Sequence, residues 1–129
     1  MEETKTLQLD WQKLNAVAGV LPVAVQDAQT REVLLLAYTN EEAFCAAART
    51  RSLVLWSTSR NRLWMKGAEE SGNGFALEEI RVNCEQNSLV YLVRPVKGGI
   101  CHTKDADGDN RRSCYYRKLN METGALEFI

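Results

Sequence analysis

The chain holds four cysteines and a single histidine, and three of the thiols gather with that histidine in two short segments and one outlier: Cys101-His102-Thr103, Ser113-Cys114-Tyr115-Tyr116, and Cys84. Thiolates are soft donors, and three of them suit zinc. A structural zinc takes a fourth protein ligand, whereas a catalytic zinc leaves that place to water or substrate. His102 serves in this reading either as the fourth ligand or as a free base, since an imidazole titrates near neutrality and shuttles protons there. The spacing is not that of a finger made from two paired ligand motifs. Three unrelated core cysteines are the alternative that the residues alone leave open. Cys45 stands apart in an alanine-rich stretch and reads as a small buried packing residue.

A second group is basic. Arg49, Arg51, Arg60, Arg62 and Lys66 fall within one short stretch, interleaved with Ser57 and Ser59. The net charge of −1 speaks against general attraction to a nucleic-acid polymer, which draws on many Lys and Arg contacts to phosphate. A small phosphorylated ligand fits better. Arg60 offers phosphate a planar fork, Lys66 a point charge, and Ser71-Gly72 backbone N–H groups with no bulky side chain in the way. Trp56 and Trp64 are candidates for stacking on a flat ring, although aromatic residues on strands more often belong to a core.

The elements that must position these residues follow from periodicity and punctuation. An amphipathic stretch at 10–17 comes first. Apolar runs at 20–25 and 33–38 read as a hairpin. Thr39 stands three residues ahead of Glu42 in the pattern of a capping box, which predicts a helix running to about Thr50, with Arg49 near its end to suit the helix dipole. Strand-length segments at 53–58, 62–66, 75–84 and 88–93, separated by polar or Gly-containing turns, predict an antiparallel arrangement. Residues 89–93 are apolar without alternation, so that strand should be covered on both faces, by the helix or by a second subunit. The expectation is one α+β domain spanning residues 1–129, mainly antiparallel sheet with one or two helices. With 129 residues, 45% apolar, 26% charged and two prolines, the composition is that of an ordinary globular protein. The start lacks the layout of a signal peptide and no apolar run reaches membrane-spanning length, which predicts a cytoplasmic protein with no membrane partner. In that compartment cysteines serve metal binding or packing more often than disulfides.

Taken in order, Trp56-Ser57-Thr58-Ser59-Arg60, Leu63-Trp64-Met65-Lys66-Gly67, Ser71-Gly72-Asn73, Cys84, Cys101-His102-Thr103 and Ser113-Cys114-Tyr115-Tyr116-Arg117 resemble the blocks of the phosphoribosyl-AMP cyclohydrolase family. Gln26-Asp27 and Leu35-Leu36-Ala37-Tyr38-Thr39-Asn40 look like its opening strands, so the resemblance covers roughly residues 21–117. It implies hydrolytic opening of the N1–C6 bond of the adenine ring in N1-(5-phosphoribosyl)-AMP, a step of histidine biosynthesis, with zinc activating the attacking water. It implies an obligate homodimer with zinc at the subunit interface, held by Cys84 of one chain and Cys101 and Cys114 of the other, and His102 as the catalytic base. Trp56, Ser57, Ser59, Arg60, Lys66, Ser71 and Gly72 are the implied substrate-binding residues. Ending soon after Cys114, the chain is expected to act without the pyrophosphohydrolase domain fused to this enzyme in some organisms.

Two departures from the family pattern carry their own expectations. The family's Asp-Cys-Asp-x-Asp segment, whose carboxylates hold magnesium, reads Asn83-Cys84-Glu85-Gln86-Asn87 here. Magnesium favours anionic oxygen ligands, so a weak or absent magnesium site is expected at Asn83, Glu85 and Asn87. The loop at 104–110 is longer by several residues, with Asp105, Asp107 and Asp109 at alternate positions. A calcium loop would need a glutamate where Tyr116 stands, so a solvated turn is expected, with a relocated magnesium site as a second reading. Because both changes adjoin the thiols, a family hydrolase or deaminase with a shifted purine substrate is the alternative function. A non-catalytic zinc-stabilised binding protein, in which His102 closes the metal site, is another.

Overall fold

The computed structural model describes residues 6–9, 11, 19–65, 74–95 and 98–129. β1 (Leu21–Asp27) buries every second residue along its length, the period that a pleated strand imposes when one face meets a core. β2 (Val33–Thr39) returns antiparallel to it, with Leu21 opposite Thr39 and a bulge beside Val25, as the hairpin reading expects. β3 (Val54–Ser57) and β4 (Arg62–Met65) form a second hairpin, and β5 (Phe75–Val82) and β6 (Leu89–Pro95) a third. The six strands lie in the order β4-β3-β2-β1-β6-β5. All neighbours are antiparallel except β1 and β6, which run parallel from Val23 opposite Leu89 to Asp27 opposite Val93. The sheet curls: residues just ahead of β3 bond to the start of β5, through Leu53 N–H to the Phe75 carbonyl (3.0 Å) and Leu77 N–H to the Arg51 carbonyl (2.9 Å). A small separate sheet, β7 (Arg117–Leu119) with β8 (Leu126–Phe128), ends the chain.

α1 (Glu41–Thr50) joins β2 to β3. The capping-box expectation is corrected by one residue. Thr39 is the wholly buried last residue of β2, and Asn40, in extended backbone, caps the helix by accepting from the Ala43 N–H at 2.8 Å. Arg51 ends the helix in the left-handed conformation, φ 55°, the αL stop that satisfies a last-turn carbonyl. Ala43 and Ala47 are the residues α1 buries, and their small side chains let the helix lie close to the core. Cys45 is exposed on that helix, not buried as expected, because it lies off the Ala43–Ala47 stripe.

The core gathers Val23, Val25, Leu34, Ala37, Leu53, Leu55, Phe75, Leu89, Tyr91 and Val93 around α1. β6 is buried at Leu89 and through Tyr91, Leu92 and Val93, as its unalternating sequence predicts. The expected amphipathic stretch at 10–17 lies almost wholly outside the described residues. The closing hairpin β7–β8 has no counterpart in the sequence reading: its strands are short and wholly exposed, so they carry no alternation to read.

Candidate functional site

After β6 the chain makes a narrow two-stranded loop that carries both late cysteines. Cys101 N–H donates to the Arg111 carbonyl (3.0 Å), Arg111 N–H to the Thr103 carbonyl (3.0 Å), and Ile100 N–H to the Arg112 carbonyl (3.5 Å). The approach is close enough to demand glycine at position 99, where a Cβ would stand 2.3 Å from the carbonyl oxygens of Asn110 and Arg111. Cys101 is buried at 2% exposure. Its sulfur receives the Thr103 N–H (3.4 Å) and lies 2.9 Å from the Thr103 hydroxyl. His102, between these two residues, is exposed.

The second arm is fastened to β2. Cys114 N–H donates to the Leu34 carbonyl (2.8 Å), and the buried Ser113 hydroxyl donates to the Val33 carbonyl (2.8 Å) while accepting from Tyr115 N–H (2.9 Å). Arg112 reaches the β1–β2 turn, 3.2 Å from Glu32 and 3.6 Å from the buried Asp27, with a bond to the Thr30 hydroxyl at 3.2 Å. Asp27 itself accepts from Gln29 N–H and Thr30 N–H at 2.8 and 2.9 Å. Burial pushes its carboxyl up, but these bonds and the Arg112 charge outweigh that and leave it below the usual carboxylate value.

Cys84 stands elsewhere. The strand expected to end on it stops at Val82, and Cys84 is exposed in the β5–β6 turn. That turn adjoins Leu89, which pairs with Val23, whereas Cys114 is fastened at Leu34, next to the residue that pairs with Val25. Cys101 follows the far end of β6. A strand as long as β6 rises by about 20 Å, so the turn with Cys84 and the start of the 98–114 segment lie at opposite ends of it. Among the described residues no three His, Cys, Asp or Glu side chains come together as a metal would need. The donor types fit zinc, but one chain does not bring the three thiols to one point.

The segment around Cys84 spends its oxygen ligands on itself. Asn83 Oδ1 accepts from Asn87 N–H (2.8 Å) and Ser88 N–H (2.9 Å), and Asn83 Nδ2 donates to Asn87 Oδ1 (2.6 Å). Asn87 Nδ2 in turn faces Glu85 at 3.4 Å. The acidic loop at 104–110 is likewise a closed turn. Asp105 accepts from Asp107 N–H and Asp109 N–H (2.9 and 3.0 Å), Lys104 bonds Asn110 (2.9 Å), and Asn110 donates to the Cys101 carbonyl (2.8 Å).

Of the basic segment, Ser57, Ser59, Arg60 and Arg62 fall in and beside the β3–β4 turn, where Arg60 N–H donates to the Ser57 hydroxyl at 3.2 Å and both arginines are exposed. Because β3 runs antiparallel to β2, with Trp56 opposite Tyr38, this turn projects toward the β2 end that holds Cys114. Trp56 pairs with Leu63, and Trp64 with Leu55, so the two indoles occupy opposite faces of the hairpin and form no common stacking platform. Both also pack against the core cluster. Arg49 and Arg51 belong to the end of α1. Lys66, Ser71 and Gly72 lie outside the described residues. The sequence reading missed Arg112 and Asp27 as fasteners of the thiol loop, since an ion pair between a turn and a distant loop leaves no periodic signal.

A profile of the phosphoribosyl-AMP cyclohydrolase family matches residues 35–116. The chain belongs to the phosphoribosyl-AMP cyclohydrolase family. Relatives bearing the name phosphoribosyl-AMP cyclohydrolase agree at length: that of Nitrosopumilus maritimus is 48% identical over 101 residues, covering 78% of this chain and 86% of its own. That of Cenarchaeum symbiosum is 42% identical over 117 residues, 91% of this chain and 98% of its own. A histidine biosynthesis bifunctional protein of Haemophilus influenzae is 45% identical over 96 residues, which are 74% of this chain but 41% of that longer protein. As a member of this family the chain is an enzyme, a hydrolase acting on a cyclic amidine. The matched residues contain every described thiol and basic residue of the candidate site and stop short of the hairpin β7–β8.

Proposed function

We propose that the chain is a phosphoribosyl-AMP cyclohydrolase of histidine biosynthesis, working in the cytoplasm, that adds water to C6 of the adenine ring of N1-(5-phosphoribosyl)-AMP. The observation that supports this most is the pairing of a buried, hydrogen-bonded thiol at Cys101 with the exposed imidazole of the next residue. A zinc ion bound by Cys84, Cys101 and Cys114 would make water acidic near neutral pH and so furnish the attacking oxygen. The chain's own residues do the rest. Cys101 and Cys114 are held in place by the Arg111, Thr103 and Leu34 backbone bonds. A ring nitrogen of His102 takes the proton from the attacking water and returns one as the N1–C6 bond breaks, so that C6 ends as a carboxamide carbonyl and N1 stays with the opened formimino group. Ser57, Ser59 and Arg60 are the described residues assigned to a substrate phosphate.

The separation of Cys84 from the other two thiols supports a homodimer in which each site draws Cys84 from one subunit and Cys101, His102 and Cys114 from the other. The internal bonding of Asn83 and Asn87 supports a site with little affinity for magnesium.

The test is turnover of phosphoribosyl-AMP by zinc-loaded protein, followed by the ultraviolet change on ring opening. Cys101→Ala and His102→Ala are each expected to lower kcat by at least about a hundredfold, with zinc content lost in the first and kept in the second. Wild-type protein that binds zinc and leaves phosphoribosyl-AMP intact would sink the assignment.

A further inference from the structure

The loop between the late cysteines carries adjacent arginines in opposite circumstances. Arg112 is neutralised by Glu32 and Asp27. Arg111 has no such partner among the described residues: it is half-buried, and its Nε is shut off from solvent without a hydrogen bond. Its guanidinium carbon lies 4.2 Å from the centroid of the Tyr116 ring and 5.3 Å from that of Phe128. Those rings stack on each other at 6.0 Å with an 18° interplanar angle. Arg117 lies over the same Tyr116 ring at 5.1 Å, and it too forms no ion pair among the described residues. Ring faces attract cations but do not neutralise them, so two positive charges share one ring with no ion-pair partner among the described residues.

We propose that Arg111, with Arg117 beside it, binds a phosphate group of the substrate, and that the hairpin β7–β8 holds Arg111 for that purpose through Phe128. This rests on the reading of the site as one for a phosphorylated nucleotide. A guanidinium whose face rests on a ring keeps its edge N–H groups for an oxyanion, and an arginine edge matches two phosphate oxygens at once. The backbone fixes where that edge is offered. Arg111 N–H donates to the Thr103 carbonyl and its own carbonyl accepts from Cys101 N–H, so its backbone is bonded to the residues on either side of His102. Ile129 N–H bonds the Tyr116 carbonyl at 3.0 Å, which keeps Phe128 stacked where Arg111 meets it. Arg111 is therefore a binding residue and Phe128 a positioning residue, and the latter lies beyond the residues that the family profile covers.

Calorimetry with AMP and ribose 5-phosphate, each against its unphosphorylated counterpart adenosine or ribose, tests this without turnover. The wild-type protein should prefer at least one phosphorylated probe, and Arg111→Met should weaken that probe by about tenfold, the usual scale of a charge-assisted bond, leaving the unphosphorylated probe unchanged. Arg111→Lys should recover part of the loss, because it returns the charge without the fork. Phe128→Ala should weaken the same probe by a smaller factor. With phosphoribosyl-AMP, Arg111→Met should raise KM by a similar factor and leave kcat nearly unaltered. No preference for either phosphorylated probe in the wild type, or equal weakening of both members of a pair, overturns the proposal. So does a fall in kcat at unchanged KM. Absent turnover in the wild type, with the phosphate preference present and lost in Arg111→Met, would instead refute the proposed reaction while the anion site stood.

Discussion

Among the described residues Tyr91 is the largest side chain to be fully enclosed. Its ring completes the core on β6, but its hydroxyl, set beside Thr39 and Cys45, makes no well-formed hydrogen bond among the described residues. Burial pushes the phenol from 10.0 up to about 12. An acid that is harder to ionise when folded contributes its full share below its unfolded value and loses it as pH rises toward the folded one. Unfolding free energy should therefore decline between pH 10.0 and about 12, by up to roughly 3 kcal/mol. Tyr91→Phe should lack that decline and stay close to the wild type in stability at neutral pH, since a buried hydroxyl with no well-formed bond adds little to folding. Denaturant titrations of both proteins at neutral and alkaline pH check this; an identical alkaline loss in Tyr91→Phe would remove Tyr91 as its source. Single residues were also where the sequence misled. Thr39 and Asn40 are both good caps, and only the burial of Thr39 at the end of β2 decides between them. Cys45 reads as buried by its type and is exposed by its angle on the helix.

At the scale of elements, the β1–β2 turn and the thiol loop form one unit joined by Asp27 and Arg112. The Asp27 carboxyl is held below its usual value, so its contribution is complete above the ordinary carboxylate range and is lost as pH falls through the lowered one. Asp27→Asn should cost about 1–2 kcal/mol at neutral pH and flatten the loss of stability below about pH 4, read from urea titrations across the acid range. A variant as stable as the wild type at neutral pH would show that Arg112 is held well enough by Glu32 alone. The hairpins and α1 were legible because each rests on contacts between chain neighbours: two apolar runs with a polar turn between them at β1 and β2, a cap and acidic first turn ahead of α1, polar turns between the later strands. The parallel pairing of β1 with β6 was not. Nothing local distinguishes a strand that will pair with its sequence neighbour from one that will also accept a distant partner. The thiols and histidine were legible by type, while their distribution between the two ends of the sheet emerges only from that pairing.

For the whole molecule, the placement of Cys84 sets a test of shared sites. If each zinc site draws on two subunits, Cys84→Ala and Cys101→Ala proteins are each inactive, yet a co-refolded equal mixture regains about a quarter of wild-type activity, because mixed dimers hold one site with neither substitution. A mixture as inactive as its components, with dimers shown to exchange, would mean that each site is complete within one chain. The parallel β1–β6 pair also has a temporal consequence. Its strands lie more than half the chain apart in sequence, and contacts that close so long an intervening segment are slow to form. During synthesis β1 must wait for its parallel partner until β6 has emerged, and Cys101 and Cys114 are made later still. Cys45 and Cys84 thus stand unshielded on the nascent chain before that pairing can form, so that the yield of folded protein should depend on a reducing environment.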